Sequence, residues 1–455
     1  MRESWSSKFS FILVAAGSAI GLGNIWRFPI MVGENGGALF VLIYLFMVLF
    51  FALPILLAEI GLGRAGQKSV VGIFKKFLPQ SFWKNLGYFY IITSIAILSY
   101  YSVVAGWVFN YILFSLSGKL KFASTLEETG KIFQNMSISP LMQIGGLFVV
   151  VFLTYLIVVG GIKRGIEKVC KVLMPLLFIL LIILVIRAIT LPGAKEGIKF
   201  YLFPVFENLS PKVLLSAMGQ AFFSLSLGVG AMLTYGSYLS GKENILKSGV
   251  WIALADTTIA LLAGLVIFPS LFSVEGLSVK AGPSLIFIVL PIVFKSLPFG
   301  IFFEILFFLL IFIAAITSTI SLLEIPVTFL IDEKGYKRKK AATLLSLITF
   351  LLGILSALSF GISKFLTHFL KIFGGEKGFL EVLDIFFGHM ALSIGSFLLC
   401  IFISYKLKFY PVLESLNSPE KFPLEKIFKI FLSIICPLGI LILIIFFILN
   451  PGEMG

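Results

Sequence analysis

Charge is scarce in this chain: of its 455 residues 13% are Asp, Glu, Lys or Arg, and only two histidines and three cysteines are present. A soluble domain carries roughly one-quarter charged residues, so the shortage excludes a water-soluble globular protein. Cys170, Cys400 and Cys436 show no paired spacing. That excludes a disulfide framework or a cysteine metal cluster and leaves them as packing residues. His368 and His389 stand isolated and receive no role. With no His/Cys/Asp cluster, nucleophile motif or phosphate loop, nothing supports an enzyme.

Acid is the scarcer charge, 22 residues against 36 basic ones, for a formal net charge of +14. The basic residues are scattered through loops between apolar runs, which argues against nucleic acid as partner and for orientation in a membrane. No signal peptide is expected. The polar start, 1–10, leads into an apolar run that contains Asn24 and Arg27 and has no small-residue cleavage site after it.

Hydrophobic residues make up 59% of the chain. About 20 of them in a row span the hydrocarbon core as a helix. Apolar runs between charged or Gly/Pro-rich breaks predict an all-α integral membrane protein with about eleven spans. They lie near 11–32, 38–63, 86–114, 141–159, 169–189, 213–239, 249–272, 299–330, 341–360, 379–405 and 427–449. A shorter, Pro-bounded stretch at 282–297 reads as a hairpin in an outer loop. No room remains for a soluble domain, so 1–455 is one transporter-sized membrane domain in contact with lipid. Lys and Arg accumulate on the cytoplasmic side of membrane proteins. With the N-terminus inside, loops holding Arg64, Lys75, Lys163, Arg164, Lys337 and Arg338 are inner ones, and inner loops carry roughly twice the basic residues of outer ones. Eleven spans then leave the C-terminus outside.

Two spans contain polar, glycine-rich interruptions at mid-depth: Gly17-Ser18-Ala19-Ile20-Gly21-Leu22-Gly23-Asn24 in the first and Ser224-Leu225-Ser226-Leu227-Gly228-Val229-Gly230 in the sixth. Glycine costs about 1 kcal/mol against alanine in a helix, and a break frees backbone groups that lipid cannot satisfy. Glycines in membrane helices also serve simply to let neighbours approach. Two such runs in corresponding positions instead point to a five-plus-five inverted repeat with broken helices 1 and 6, its halves at 8–190 and 210–405, an extra helix at 427–449, and a binding site at the midplane.

The motifs carry a resemblance. Gly21-Leu22-Gly23-Asn24-Ile25-Trp26-Arg27-Phe28-Pro29, then Glu34-Asn35-Gly36-Gly37, Glu59-Ile60-Gly61-Leu62-Gly63-Arg64, Gly219-Gln220-Ala221-Phe222-Phe223-Ser224-Leu225-Ser226-Leu227-Gly228 and Thr317-Ser318 together resemble the neurotransmitter:sodium symporter family, especially its bacterial amino-acid transporters. That family is itself a standard example of the broken-helix architecture. The resemblance implies sodium-coupled symport of an amino acid by alternating access, in the plasma membrane of a prokaryote.

Residue by residue, the resemblance implies two sodium ions. One is held by Ala19, Asn24, Ser224, Asp256 and the substrate carboxylate, the other by Gly17, Ile20, Ala314, Thr317 and Ser318. The donor chemistry agrees, since a hard cation takes several oxygens. Hydroxyls in membrane helices also bond their own backbone, and Thr317 and Ser318 owe their ion role to the resemblance. Amides near Leu22 and Gly23 point a positive helix end at a carboxylate. Tyr101 donates to the same group, while Phe223 and Ser226 carbonyls receive the ammonium. Ser224 and Ser318 border this pocket, and Ile97, Val229 and Leu322 surround the side chain.

Monoamine-carrying relatives place an aspartate at the position of Gly21, so this substrate brings its own carboxylate. Val229 and Leu322 imply a roomy apolar pocket for a Leu, Met, Phe, Tyr or Trp side chain. Asp256 occupies a position where relatives have Asn, and the chloride-dependent ones hold an anion beside it. Tyr44, Gln220 and Ser224 of that anion site remain, but Ala260 replaces a serine, which implies that chloride is not required. A protonated Asp256 bonded to Thr257 or a backbone carbonyl is the other reading of this residue. Arg27 and Asp384 match the outer gate, and Arg2, Trp5, Tyr238 and Asp332 the inner one. Gly165 and Pro175 match a spacing at which relatives unwind the fifth helix, and Glu59 is expected to bond backbone freed by the breaks. The competing readings are a proton-coupled or uncoupled permease of the same fold, and a nontransporting amino-acid sensor.

Overall fold

Apolar runs become helices throughout the computed structural model, which describes residues 3–123, 125–241, 243–274, 285–372 and 375–450. Among the described residues nine helices are long and apolar enough to cross a membrane: Ala38–Gly66, Lys84–Leu116, Pro140–Val159, Ile162–Ile189, Ile245–Phe272, Gly300–Lys334, Arg338–Leu358, Phe379–Lys406 and Glu425–Leu449. A tenth crossing is the pair Lys8–Ala19 and Gly23–Glu34, bent by 54°. Pro211–Ser224 and Ala231–Gly236 form the eleventh, and the six residues between them are not helical. These segments coincide with the eleven expected spans.

The breaks have local causes. At the first, Ile20 turns to extended backbone (φ −69°, ψ 111°). At the second, Ser226, Gly228 and Gly230 all take positive φ, at 52°, 75° and 86°. Gly228 is required twice over, because a Cβ there would also run into the carbonyl oxygen of Leu392. The freed backbone finds partners inside the bundle, as it must in lipid. The Gly228 amide donates to Glu59 Oε1 at 2.8 Å, and the Gln220 amide group donates to the Gly23 carbonyl at 2.9 Å. Ser226 Oγ donates to the Ser18 carbonyl at 3.1 Å. Glu59 is fully buried.

Several boundaries differ from expectation. The fifth span starts at Ile162, seven residues early, because its charges are satisfied there: Glu3 accepts from the Ile162 amide at 2.6 Å, and Lys171 pairs with Glu167 at 2.7 Å. This helix also runs through Pro175 without unwinding. The hairpin expected at 282–297 falls partly outside the described residues. Its described part is a short helix, Leu285–Lys295, that is buried rather than lying on a surface. Phe287 seats against Trp26, Tyr111 and Phe133. A two-stranded ladder of Leu370–Ile372 with Gly375–Lys377 was not foreseen, being too short to show a two-residue period.

Candidate functional site

Between the two breaks and the third, eighth and tenth spans lies a cavity of about 50 Å³, lined by Ser18, Ala19, Gly21, Gly23, Ile97, Tyr101, Phe223, Ser226, Val229, Ser318, Ser321, Leu322 and Leu392. Its polar end is the broken first helix. The Leu22 amide donates to Tyr101 Oη at 3.0 Å. A Cβ on Gly21 would stand 2.6 Å from Ser318 Oγ and 2.8 Å from Tyr101 Oη, so only glycine leaves both hydroxyls in place. The opposite end is apolar, and no charged side chain borders the cavity among the described residues.

Ser224, expected to border this pocket, lies off it and faces the other way. It donates to Asp256 Oδ2 at 2.6 Å, and Asn24 Nδ2 donates to Asp256 Oδ1 at 2.8 Å and to Ser224 Oγ at 3.0 Å. Tyr44 donates to Ser224 Oγ at 3.3 Å. Asn24 Oδ1 accepts from the Gly21 amide at 3.0 Å, which ties this cluster to the break. Ala19 is buried on the cavity wall. The result is a fully buried carboxylate, an amide and a hydroxyl within hydrogen-bond reach of one another, a donor set of the oxygen-rich kind a hard cation takes.

A second oxygen cluster joins the first and eighth spans. Ser318 Oγ contacts the Ile20, Ala314 and Ser18 carbonyls at 3.3, 3.3 and 3.5 Å. Thr317 Oγ1 donates to the Ala314 carbonyl at 3.0 Å, and a Cβ on Gly17 would approach the Thr317 Cβ at 3.5 Å. All five residues expected there meet, although Thr317 bonds its own helix.

Above the cavity, the Arg27 guanidinium lies over the Phe223 ring, 4.8 Å from its centroid. Asp384 is half-exposed in a wide turn of the tenth span, and a Cβ on Gly388 would touch both its Oδ1 and the Tyr100 hydroxyl. Below the cavity, Trp5 Nε1 donates to the Tyr235 carbonyl at 3.0 Å and packs edge-on against Tyr235 and Tyr238. Arg2 lies outside the described residues. Asp332 accepts from the Ser69 amide at 2.7 Å, and Tyr238 donates to Glu324 Oε1 at 2.7 Å. Glu324 is one residue the sequence reading missed: it is fully buried and held by the two terminal guanidinium nitrogens of Arg338, at 2.7 and 3.0 Å. A carboxylate near the end of an apolar span was the available signal. Ser18, Ser321 and Leu392 were also missed on the cavity wall, and for Leu392 no motif marks the position.

Two helices broken around a midplane cavity, two oxygen clusters beside it, and aromatic and charged closures on both sides define a secondary membrane transporter. A sequence model of the sodium:neurotransmitter symporter family matches residues 2–139 and 131–454. The chain belongs to that family of sodium-dependent transporters and is not an enzyme. It is similar to YhdH of Bacillus subtilis, described as an uncharacterized sodium-dependent transporter, at 41% identity over 89% of this chain and 88% of that one. A Haemophilus influenzae protein of the same description is 38% identical over 98% of both chains. Among solved structures, MhsT in complex with L-phenylalanine matches with a TM-score of 0.89 at 40% identity, covering 98% of this chain and 99% of that one. These relatives support the bacterial branch.

Proposed function

We propose that this transporter couples sodium entry to uptake of a neutral amino acid with a hydrophobic or aromatic side chain, without chloride. The carrying observation is the two-ended cavity: the Leu22 amide and Tyr101 hydroxyl at one end suit a carboxylate, and Ile97, Phe223, Val229, Leu322 and Leu392 at the other suit an apolar side chain. The L-phenylalanine bound by MhsT supports the same substrate class. Burying an unpaired substrate charge among those side chains would cost several kcal/mol.

In this reading Ala19, Asn24, Ser224 and Asp256 hold one sodium together with the substrate carboxylate, and Gly17, Ile20, Ala314, Thr317 and Ser318 hold the second. The Asp256 carboxylate supplies the fixed negative charge that chloride supplies in other members. Arg27, Phe223 and Asp384 close the outer side; Trp5 and Tyr238, with Glu324 and Arg338, close the inner. The halves 8–190 and 210–405 rock against each other in a prokaryotic plasma membrane, with the N-terminus cytoplasmic and the C-terminus outside.

Uptake of labelled amino acids into proteoliposomes tests the whole reading. With an imposed sodium gradient, in chloride or in gluconate, Leu, Met, Phe, Tyr or Trp accumulates and Lys, Glu and dopamine do not. Uptake that survives sodium removal would assign a proton-coupled or uncoupled permease instead, and binding without counterflow a sensor.

A further inference from the structure

His389 is buried in the tenth span, and its two ring nitrogens differ sharply in environment. Nδ1 lies 3.0 Å from the Asp384 carbonyl oxygen, across the wide turn Asp384–Met390. Nε2 is enclosed and has no hydrogen-bond partner among the described residues. The imidazole stacks on Phe223, centroids 6.3 Å apart and planes 23° from parallel, and meets Phe447 edge-on at 6.2 Å. Phe223 is the ring that lines the substrate cavity, packs against Gly23 and receives Arg27. One histidine therefore touches both the aromatic cover of the cavity and the turn that carries Asp384.

We propose that His389 is a positioning residue: its neutral imidazole holds Phe223 over the cavity, and a proton taken up from the outer side releases it. The inference rests on the reading of Phe223 and Arg27 as the outer closure. In the closed arrangement Nδ1–H donates to the Asp384 carbonyl, and Nε2 keeps a lone pair among aromatic carbons. Protonation would put an N–H⁺ there with no acceptor, a costly state in an apolar enclosure. The charged groups facing the ring leave that cost standing. Arg27, from the first span, is a like charge. Asp384 Oδ1, on the histidine's own span, is 4.0 Å from Nδ1 rather than from Nε2. Tyr100, from the third span, faces Asp384. From the sixth and last spans the Phe223 and Phe447 rings face it. Water can reach Nε2 once Phe223 lifts, so the open arrangement binds the proton and closure releases it. Closure is then favoured at neutral and alkaline outer pH and opposed as pH falls through the imidazole range.

A test that needs no substrate is thiol labelling beneath the cover. Ile97→Cys places a thiol on the cavity wall, while native Cys170, Cys400 and Cys436 are buried. The rate of its modification by an impermeant cationic thiol reagent is compared in two backgrounds, wild type and His389→Phe, in sodium-containing proteoliposomes. The ratio of the two rates cancels the pH dependence of thiol chemistry. The expected result is a ratio that rises by up to about tenfold between about pH 7.5 and pH 5.5, one proton being taken up as the cover opens. His389→Gln, which is smaller and does not titrate in this range, should behave as His389→Phe does; it serves as the comparison should His389→Phe fail to fold. A ratio constant with pH overturns the proposal. Because labelling requires no transport, that result is separable from a failure of the symport reading, which the uptake assay reports.

Discussion

The hydroxyl of Tyr101 accepts a hydrogen bond from the amide of Leu22 across 3.0 Å, so a third-span side chain occupies the open end of the broken first helix. In the proposed reading a substrate carboxylate arriving there takes both donors, the amide and the phenol. Hydrogen bonds to charged groups contribute about 1.5–3 kcal/mol. Tyr101→Phe is therefore expected to weaken amino-acid binding by roughly 10- to 100-fold while sodium dependence persists, measured by scintillation proximity with labelled L-phenylalanine. Undiminished affinity would place the carboxylate elsewhere.

Gly21 has no room to vary. A methyl there meets the Ser318 and Tyr101 hydroxyls at 2.6 and 2.8 Å, one from each of the two proposed sites. Overpacking of this kind costs about 1–3 kcal/mol, and here the displaced atoms are the ones proposed to hold ion and substrate. Gly21→Ala should lower the affinities for sodium and amino acid together. Sodium-dependent thermal stabilisation of the purified protein reads the first and binding the second; a loss confined to the amino acid would remove Ser318 from the ion site.

On the proposed inner side, Glu324 is enclosed by Arg338, Tyr238 and Thr328. Removing one member of a buried ion pair typically costs about 3–5 kcal/mol, because its partner stays desolvated. Glu324→Gln should loosen the closure that the amino-terminal segment makes. Hydrogen exchange is expected to speed up over residues 3–19 and to remain unchanged around Phe223. Unchanged exchange near Trp5 would mean that its contacts with Tyr235 and Tyr238 hold the segment alone.

Much of this arrangement is legible in the sequence because the bilayer forbids alternatives: apolar length sets the spans, and glycines with hydroxyls or an amide at mid-depth set the breaks. The cavity wall was readable in part where a break fell on it, as at Gly21 and Ser226, although Ser18 in the first break was missed; Tyr101 came only through the family resemblance. Glu324 and His389 were not, since their meaning lies in partners from distant segments, Arg338 and Tyr238 for one and Phe223 for the other. Leu392 offers no signal at all, as one leucine among many in an apolar span. The buried helix at Leu285–Lys295 was misjudged because length alone cannot separate a plug from a surface loop.

Asp256 gives the sharpest test of chloride independence. Both its oxygens are engaged inside the protein, Oδ1 by Asn24 and Oδ2 by Ser224, and the side chain is fully buried. In the proposed reading a sodium ion bound among these groups is balanced by the carboxylate, so no mobile anion is needed. Asp256→Asn keeps the shape and most of the hydrogen bonds but leaves the cation unbalanced, and an uncompensated buried charge costs several kcal/mol. Chloride could restore the balance through Tyr44, Gln220 and Ser224, although Ala260 offers it no hydroxyl. The variant should therefore lose most sodium-driven uptake in gluconate and recover part of it as chloride is added, while the wild type is indifferent to the exchange. Full activity of Asp256→Asn without chloride would show that the fixed charge is not what drives the ion's binding.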